Sequence, residues 1–290
     1  MTAHTTTDRV LVTGGTGNTG RRIASRLAEL GFAVRVGSRA APAPGGATEH
    51  VRFDWADPST HAEALRGVHR AYLVSPALVD DPATLMRPFI TRALESGVRR
   101  FVLLSASAIP EGATGHGAVE RALREQAPQW AVLKPSWFMQ NFIDPRYMHG
   151  PSLLREGVIV TSTGAGRVGF VDTDDIAEVG VRALADEVSH DAAHTITGPE
   201  ALSYDDVAAI LSRVTGRSLK HVRVDDAEAR RRMIATGMPE SYADLLVGLD
   251  AAIRDGAEDR VTDTVERVTG RPPRSLEAFA RANSAALRGE

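Results

Sequence analysis

The sequence predicts an α/β fold: a doubly wound parallel sheet followed by a smaller, mostly helical lobe. Three observations carry this. Strand-like and helix-like patterns alternate from Val10 to Leu133, as in a parallel sheet with helices on both faces. Several of the strand signals are short, continuous apolar runs, which suit strands buried on both sides. The first of them, Val10 to Val12, opens directly into the glycine-rich turn Gly14-Gly15-Thr16-Gly17-Asn18-Thr19-Gly20 and then a helical pattern.

Taken in order, Val10 to Val12 have the branching and length of a buried strand. Ile23, Leu27 and Leu30 then return at helical spacing until Gly31. Ala33 to Ser38 reads as the second strand, Ala41 to Gly46 as a Pro/Gly loop, and Val51 to Asp54 as a short third strand. Pro58 to Leu65 reads as helix, Arg70 to Val74 as strand, Pro82 to Glu95 as helix, Arg100 to Leu104 as the fifth strand and Trp130 to Leu133 as the sixth. Beyond Pro145 the alternation weakens. Val158 to Ser162 and Val168 to Val171 read as short strands, Asp172 to Asp175 as a helix start, and His194 to Thr197 as a late strand. The rest is mainly helical, over Tyr204 to Val214, Asp226 to Thr236, Glu240 to Arg254 and Leu276 to Leu287, with a strand at Lys220 to Val224. This divides the chain into a domain over 1–196, to whose substrate pocket residues 136–157 contribute, and a smaller C-terminal lobe over 197–290.

Composition narrows the function. The 290 residues carry a formal net charge of -3, which gives no electrostatic reason to expect nucleic acid or an anionic membrane as partner. With no cysteine, disulfides, thiolate metal sites and cysteine nucleophiles are excluded, and the histidines lack metal-ligand spacing. The polar, Thr-rich start has no apolar core and no stretch is long enough to span a bilayer, so a cytoplasmic monomer or homodimer is expected.

The chemistry lies at the strand ends. Gly14, Gly17 and Gly20 sit three apart, a spacing that lets the chain turn tightly, bring its backbone close to a pyrophosphate and pack the next helix on the strand. With Thr16, Asn18 and Thr19 this turn would hold a dinucleotide at a helix N-terminus. Ser38 and Arg39 end the second strand with no acid nearby. Arginine there suits the 2′-phosphate of NADP, whereas a carboxylate would suit the ribose of NAD. Asp54 and Trp55 fall where an adenine could be capped. Ser75-Pro76 and Ser105-Ala106-Ser107 lie at the carboxyl edge of the sheet, as does Lys134. The serine hydroxyls, Ser107 among them, read equally as backbone caps or as catalytic groups. Trp137, Phe138, Met139, Asn141 and Phe142 follow the sixth strand and read either as the wall of a pocket for a flat hydrophobic substrate or as plain packing. Asp174 and Asp175 read as first-turn capping carboxylates rather than catalytic ones.

Thr13 to Gly20 resembles the signature of the atypical short-chain dehydrogenase/reductases, and of the NmrA-like family within them. Val51-Arg52-Phe53-Asp54-Trp55, Phe101 to Ile109, Trp137 to Phe142, Gly237-Met238-Pro239-Glu240, Gly256 to Arg260 and Thr269-Gly270-Arg271-Pro272-Pro273 are similar to its ergot-alkaloid reductase branch. The resemblance implies a Rossmann-type fold and NADPH-dependent reduction of a cyclic iminium by hydride; a non-catalytic NADP-sensing regulator of the NmrA type is the alternative it also allows. One departure stands out. Ketone-reducing members use Tyr-x-x-x-Lys, the tyrosine to protonate the forming alkoxide; here His116 and Glu120 stand at that spacing. An iminium already carries its charge and needs no such proton; reduction of a quinone or another strongly electron-poor acceptor is similarly undemanding. For carbonyl or azo reduction His116, read as part of a glycine-flanked loop, is the candidate general acid.

Overall fold

The computed structural model describes residues 8–39, 48–76, 79, 81–110, 112–144 and 149–289, so the expected loop Ala41 to Gly46 lies outside the described residues. The chain runs through β1 (Arg9–Thr13), α1 (Asn18–Glu29), β2 (Ala33–Ser38), β3 (Glu49–Arg52), a 3-10 turn at Pro58–Thr60, α2 (His61–Leu65), β4 (Val68–Val74), α3 (Ala83–Glu95), β5 (Arg100–Leu104), α4 (His116–Gln126) and β6 (Gln129–Pro135). It continues through a 3-10 turn at Met139–Phe142, α5 (Gly150–Glu156), β7 (Val158–Thr161), β8 (Arg167–Val168), α6 (Thr173–Ala185) and β9 (Ala192–Ile196). Then come β10 (Leu202–Ser203), α7 (Tyr204–Thr215), β11 (Lys220–Arg223), α8 (Asp226–Ala235), α9 (Glu240–Arg254), α10 (Thr264–Thr269), α11 (Leu276–Ala282) and α12 (Ser284–Arg288).

Three expectations change. His116 is not on a loop: it is the first residue of α4, whose Val119, Ala122 and Leu123 bury one face. The strand expected over Val168 to Val171 is only two residues long, with Val171 instead bridging to Phe138. The helix expected over Leu276 to Leu287 breaks at Asn283, whose side-chain amide donates to the Phe279 carbonyl at 2.8 Å and takes an acceptor a continuing helix would use.

Two compact units result, residues 1–134 with 176–195 and residues 135–175 with 196–290. The first is built on a seven-stranded sheet of order β3-β2-β1-β4-β5-β6-β9. Every pairing from β3 through β6 is parallel. The chain winds outward through β2 and β3, then crosses to β4 on the other side of β1, which makes the β1/β4 junction the switch point where such sheets bind ligands. Leu11, Leu73, Phe101, Leu103 and Val132 of the strands pack with Leu65, Met86, Phe89 and Leu123 of α2, α3 and α4 on one face. On the opposite face α1 and α6 lie together, joined by an Arg26–Glu178 pair at 3.4 Å.

The strand-start edge of this sheet is closed by arginines. Arg35, 2% exposed, donates through Nη1 to the carbonyls of Glu63, Ala64 and Arg66 at the end of α2. Arg100, equally buried, serves the end of α6, donating to the carbonyls of Leu184 (3.1 Å), Asp186 and Glu187 (3.2 Å). Cations placed on orphan helix C-terminal carbonyls are stabilised by the helix dipole as well as by hydrogen bonds.

The second unit holds two small sheets, β7 paired in parallel with β11 and β8 antiparallel with β10. Its core centres on Phe142, Phe170 and Tyr204, with edge-to-face ring contacts of 5.3 Å from Phe170 to each of the other two. Asp172, completely buried, opens α6: it accepts from the Asp174 amide, from Gln140 Nε2 (2.7 Å) and from Arg274 Nη1 (2.7 Å), while Asp175 accepts the Arg274 backbone amide. Asp172 is therefore the helix cap, while Asp174 and Asp175, expected to cap, stand in the first turn, and Arg274, directly after the Gly-Arg-Pro-Pro motif, locks the run.

Candidate cofactor cleft

Regular β1/β4 pairing ends at Val12 and Tyr72. One residue further, the Thr13 hydroxyl spans the parting strands, donating to the Tyr72 carbonyl (3.1 Å) and accepting from the Val74 amide (2.8 Å). The Tyr72 phenol donates to Thr19 Oγ1 at 3.0 Å and so pins the start of α1 to β4. Burial pushes that phenol well above its usual pKa, which keeps it a donor.

Between them the glycine turn is dictated by space. Gly14 sits at φ +61°, where side chains are strained, and its carbonyl accepts from the Gly17 amide at 2.9 Å. A Cβ on Gly20 would lie 2.4 Å from that same carbonyl oxygen, backbone against backbone, so only glycine lets α1 approach β1 this closely. The helix start is left open. Gly17 caps it without a side-chain hydrogen bond, no acid stands in the first turn, and the buried Asn18 Nδ2 has no partner. Its first amides have no intrahelical acceptor, and the positive end of the dipole favours an anion there.

Beside this start a cleft of about 400 Å³ follows the carboxyl ends of β1 to β4. Of the residues singled out from the sequence, Gly14, Thr16, Ser38, Arg39, Asp54, Trp55, Ser75 and Pro76 line it. Phe53, Leu85 and Val79 add an apolar wall that sequence reasoning missed, because the latter two belong to no motif. Trp55 is held edge-on against Phe53 and Phe89, its indole donating to the Val74 carbonyl at 3.0 Å. Asp54 accepts the Ala56 amide in a local turn. Gly17 caps α1, and Asn18, Thr19 and Gly20 form its first turn, beside the cleft rather than in its walls.

The remaining candidates separate. Ser75 Oγ is 3.1 Å from His116 Nδ1 and donates to Met86 Sδ at 3.2 Å. Burial lowers the His116 pKa, opposed by the charge of Glu120. Ser105 Oγ donates at 2.5 Å to Glu120 Oε1, and Lys134 Nζ reaches Glu120 Oε2 at 3.2 Å and the Ile109 carbonyl at 2.6 Å. Ser105 and Lys134 thus meet over Glu120, which spacing had placed only relative to His116. Ala106 and Ser107 lie on the turn after β5, where the Ala106 carbonyl accepts from the Ile109 amide. Trp137, Phe138 and Asn141 of the second unit are partly exposed, whereas Met139 and Phe142 are at most 1% exposed and serve as core instead of pocket wall. Among the described residues no three His, Asp or Glu side chains gather as a metal-binding group, and no helix is long and apolar enough to cross a membrane.

A parallel sheet wound both ways from an open glycine turn defines an α/β protein of the Rossmann-like class. The chain belongs to the NmrA-like family, whose model matches residues 6–277. It is similar to the oxidoreductase YesF of Bacillus subtilis, with 49% identity covering 95% of each chain. Agroclavine dehydrogenase of Claviceps fusiformis is 36% identical over 94% of this chain and 96% of its own. Among solved structures, the triphenylmethane reductase of Citrobacter sp. complexed with NADP(H) superposes with a TM-score of 0.79 at 21% identity, covering 95% of this chain and 99% of that one.

Proposed function

We propose that this oxidoreductase is an NADPH-dependent reductase that delivers hydride to a flat, hydrophobic, electron-poor acceptor such as a cyclic iminium, a quinone or an enone. The observation that carries the reading is the open start of α1 beside the cleft: a glycine cradle that a Cβ would fill, a buried amide without a partner, and no acid in the first turn. These features fit a bound pyrophosphate. The family relatives named for dehydrogenase activity and the solved relative complexed with NADP(H) support the same reading.

When bound, a reduced nicotinamide supplies the hydride. The chain's own residues supply the rest. The Gly14 to Gly20 turn and the amides of α1 would hold the phosphates, Ser38 and Arg39 the 2′-phosphate, and Phe53, Trp55 and Leu85 would keep water from the cleft. His116 and Glu120 have the four-residue spacing of the tyrosine and lysine that assist carbonyl reduction, which favours acceptors already activated toward hydride.

Arg39→Ser tests the cofactor. Titration calorimetry should show NADPH affinity falling about tenfold, the loss of one charge-assisted phosphate contact, with NADH affinity unaltered. Equal changes for both cofactors would remove the 2′-phosphate role. Cofactor oxidation over a panel of cyclic imines, quinones and enones tests the activity, and no turnover despite tight binding would sink the reductase reading.

A further inference from the structure

We propose that His116 donates a proton to the reduced acceptor, positioned by Ser75 and by a buried Glu120–Lys134–Ser105 network. The inference rests on the reading of the chain as a hydride-delivering reductase and deepens it for those acceptors, enones included, whose product anion must be protonated.

Three contacts build the donor. Ser75 lines the cleft, and its own hydroxyl proton points to Met86 Sδ, so its oxygen accepts from His116 Nδ1 at 3.1 Å. That holds the ring against Ser75, a residue of the cleft wall, and leaves Nε2 for the acceptor. Glu120 follows one turn later on the same face of α4. It is 5% exposed, and its two oxygens are taken by Ser105 Oγ (2.5 Å) and Lys134 Nζ (3.2 Å).

The pair therefore inverts the charges of the tyrosine and lysine it replaces. There the cation stabilises a phenolate, the product of proton donation; here an anion stabilises an imidazolium, the species that donates. In the step the acceptor's electrophilic atom takes two electrons as hydride, oxidising the nicotinamide. The anion formed on its heteroatom takes the proton from His116 Nε2, and the neutral ring is recharged by solvent. A ketone, enone or azo acceptor needs this proton, whereas an N-alkylated iminium, which ends as a neutral amine, does not. Burial holds the His116 pKa below its usual 6.5, with Glu120 the charge acting on the ring, so the donor is populated as pH falls below neutrality.

The test compares two acceptors on His116→Asn with NADPH: an α,β-unsaturated ketone and an N-methyl-3,4-dihydroisoquinolinium. The enone rate should fall about 100-fold and lose its rise toward acid pH, while the iminium rate falls less than about threefold. Equal losses on both acceptors, or an enone rate and pH profile like the parent's, overturn the proposal. A readout free of cofactor and acceptor keeps it separate from the reductase reading. Proton NMR titration of His116 should give a lower pKa in Glu120→Gln than in the parent, and a smaller decrease in the milder Ser105→Ala. An unshifted pKa in both overturns the charged pair. Turnover of neither acceptor by the parent, with the NMR shift present, would instead count against the reductase reading.

Discussion

The two edges of the seven-stranded sheet treat polar groups in opposite ways. At the strand starts, Arg35 and Arg100 are buried and spend their donors on the C-terminal carbonyls of α2 and α6. At the strand ends, α1 begins on a glycine with no side-chain cap, an amide without a partner and an adjoining cleft. One edge spends its guanidinium Nη donors within the chain, although the buried Arg35 Nε has no partner, and serves stability. The other leaves donors to be completed by a ligand. A helix terminus is thus read for function by what fails to satisfy it.

Changes at the closed edge should alter stability alone. Arg100→Met leaves the Asp186 and Glu187 carbonyls without their arginine donor, while the Leu184 carbonyl keeps Arg70. Urea denaturation should show a loss of about 3 kcal/mol, while NADPH affinity changes less than about twofold. A comparable loss of affinity would mean the edges are not separable. Gly20→Ala lies where packing and ligand meet. Its Cβ would press on the Gly14 carbonyl, so thermal unfolding should report about 1–3 kcal/mol lost and calorimetry a weakened dinucleotide. Destabilisation with unchanged affinity would restrict Gly20 to packing.

Much of the closed framework was legible in the sequence because it rests on local periodicity. The strands at Val10 to Val12 and Arg100 to Leu104 and the helix over Tyr204 to Val214 lie where their apolar spacing put them. Helix α4 was hidden because Gly115 and Gly117 flank His116 and imitate a loop. The short α5 and α10 carry too few turns to show a period. The cleft was partly legible, through Gly14, Ser38, Arg39 and Ser75 at strand ends. What could not be read were pairings between distant positions: Glu120 with Lys134, His116 with Ser75, and Arg274 with Asp172. These depend on which strand ends the fold brings together, and no local pattern encodes that.

Thr16→Asp poses the contrast between the edges most directly, since Thr16 is exposed, lines the cleft and precedes the cap of α1. A carboxylate there complements the helix dipole by about 0.3–1 kcal/mol, yet it repels a phosphate at the same point. Calorimetric titration with NADPH beside a thermal melt should show affinity reduced at least about tenfold with a melting temperature equal to or above the parent's. Undiminished affinity would contradict the account, because the open start of α1 would then not be where the dinucleotide's phosphates bind.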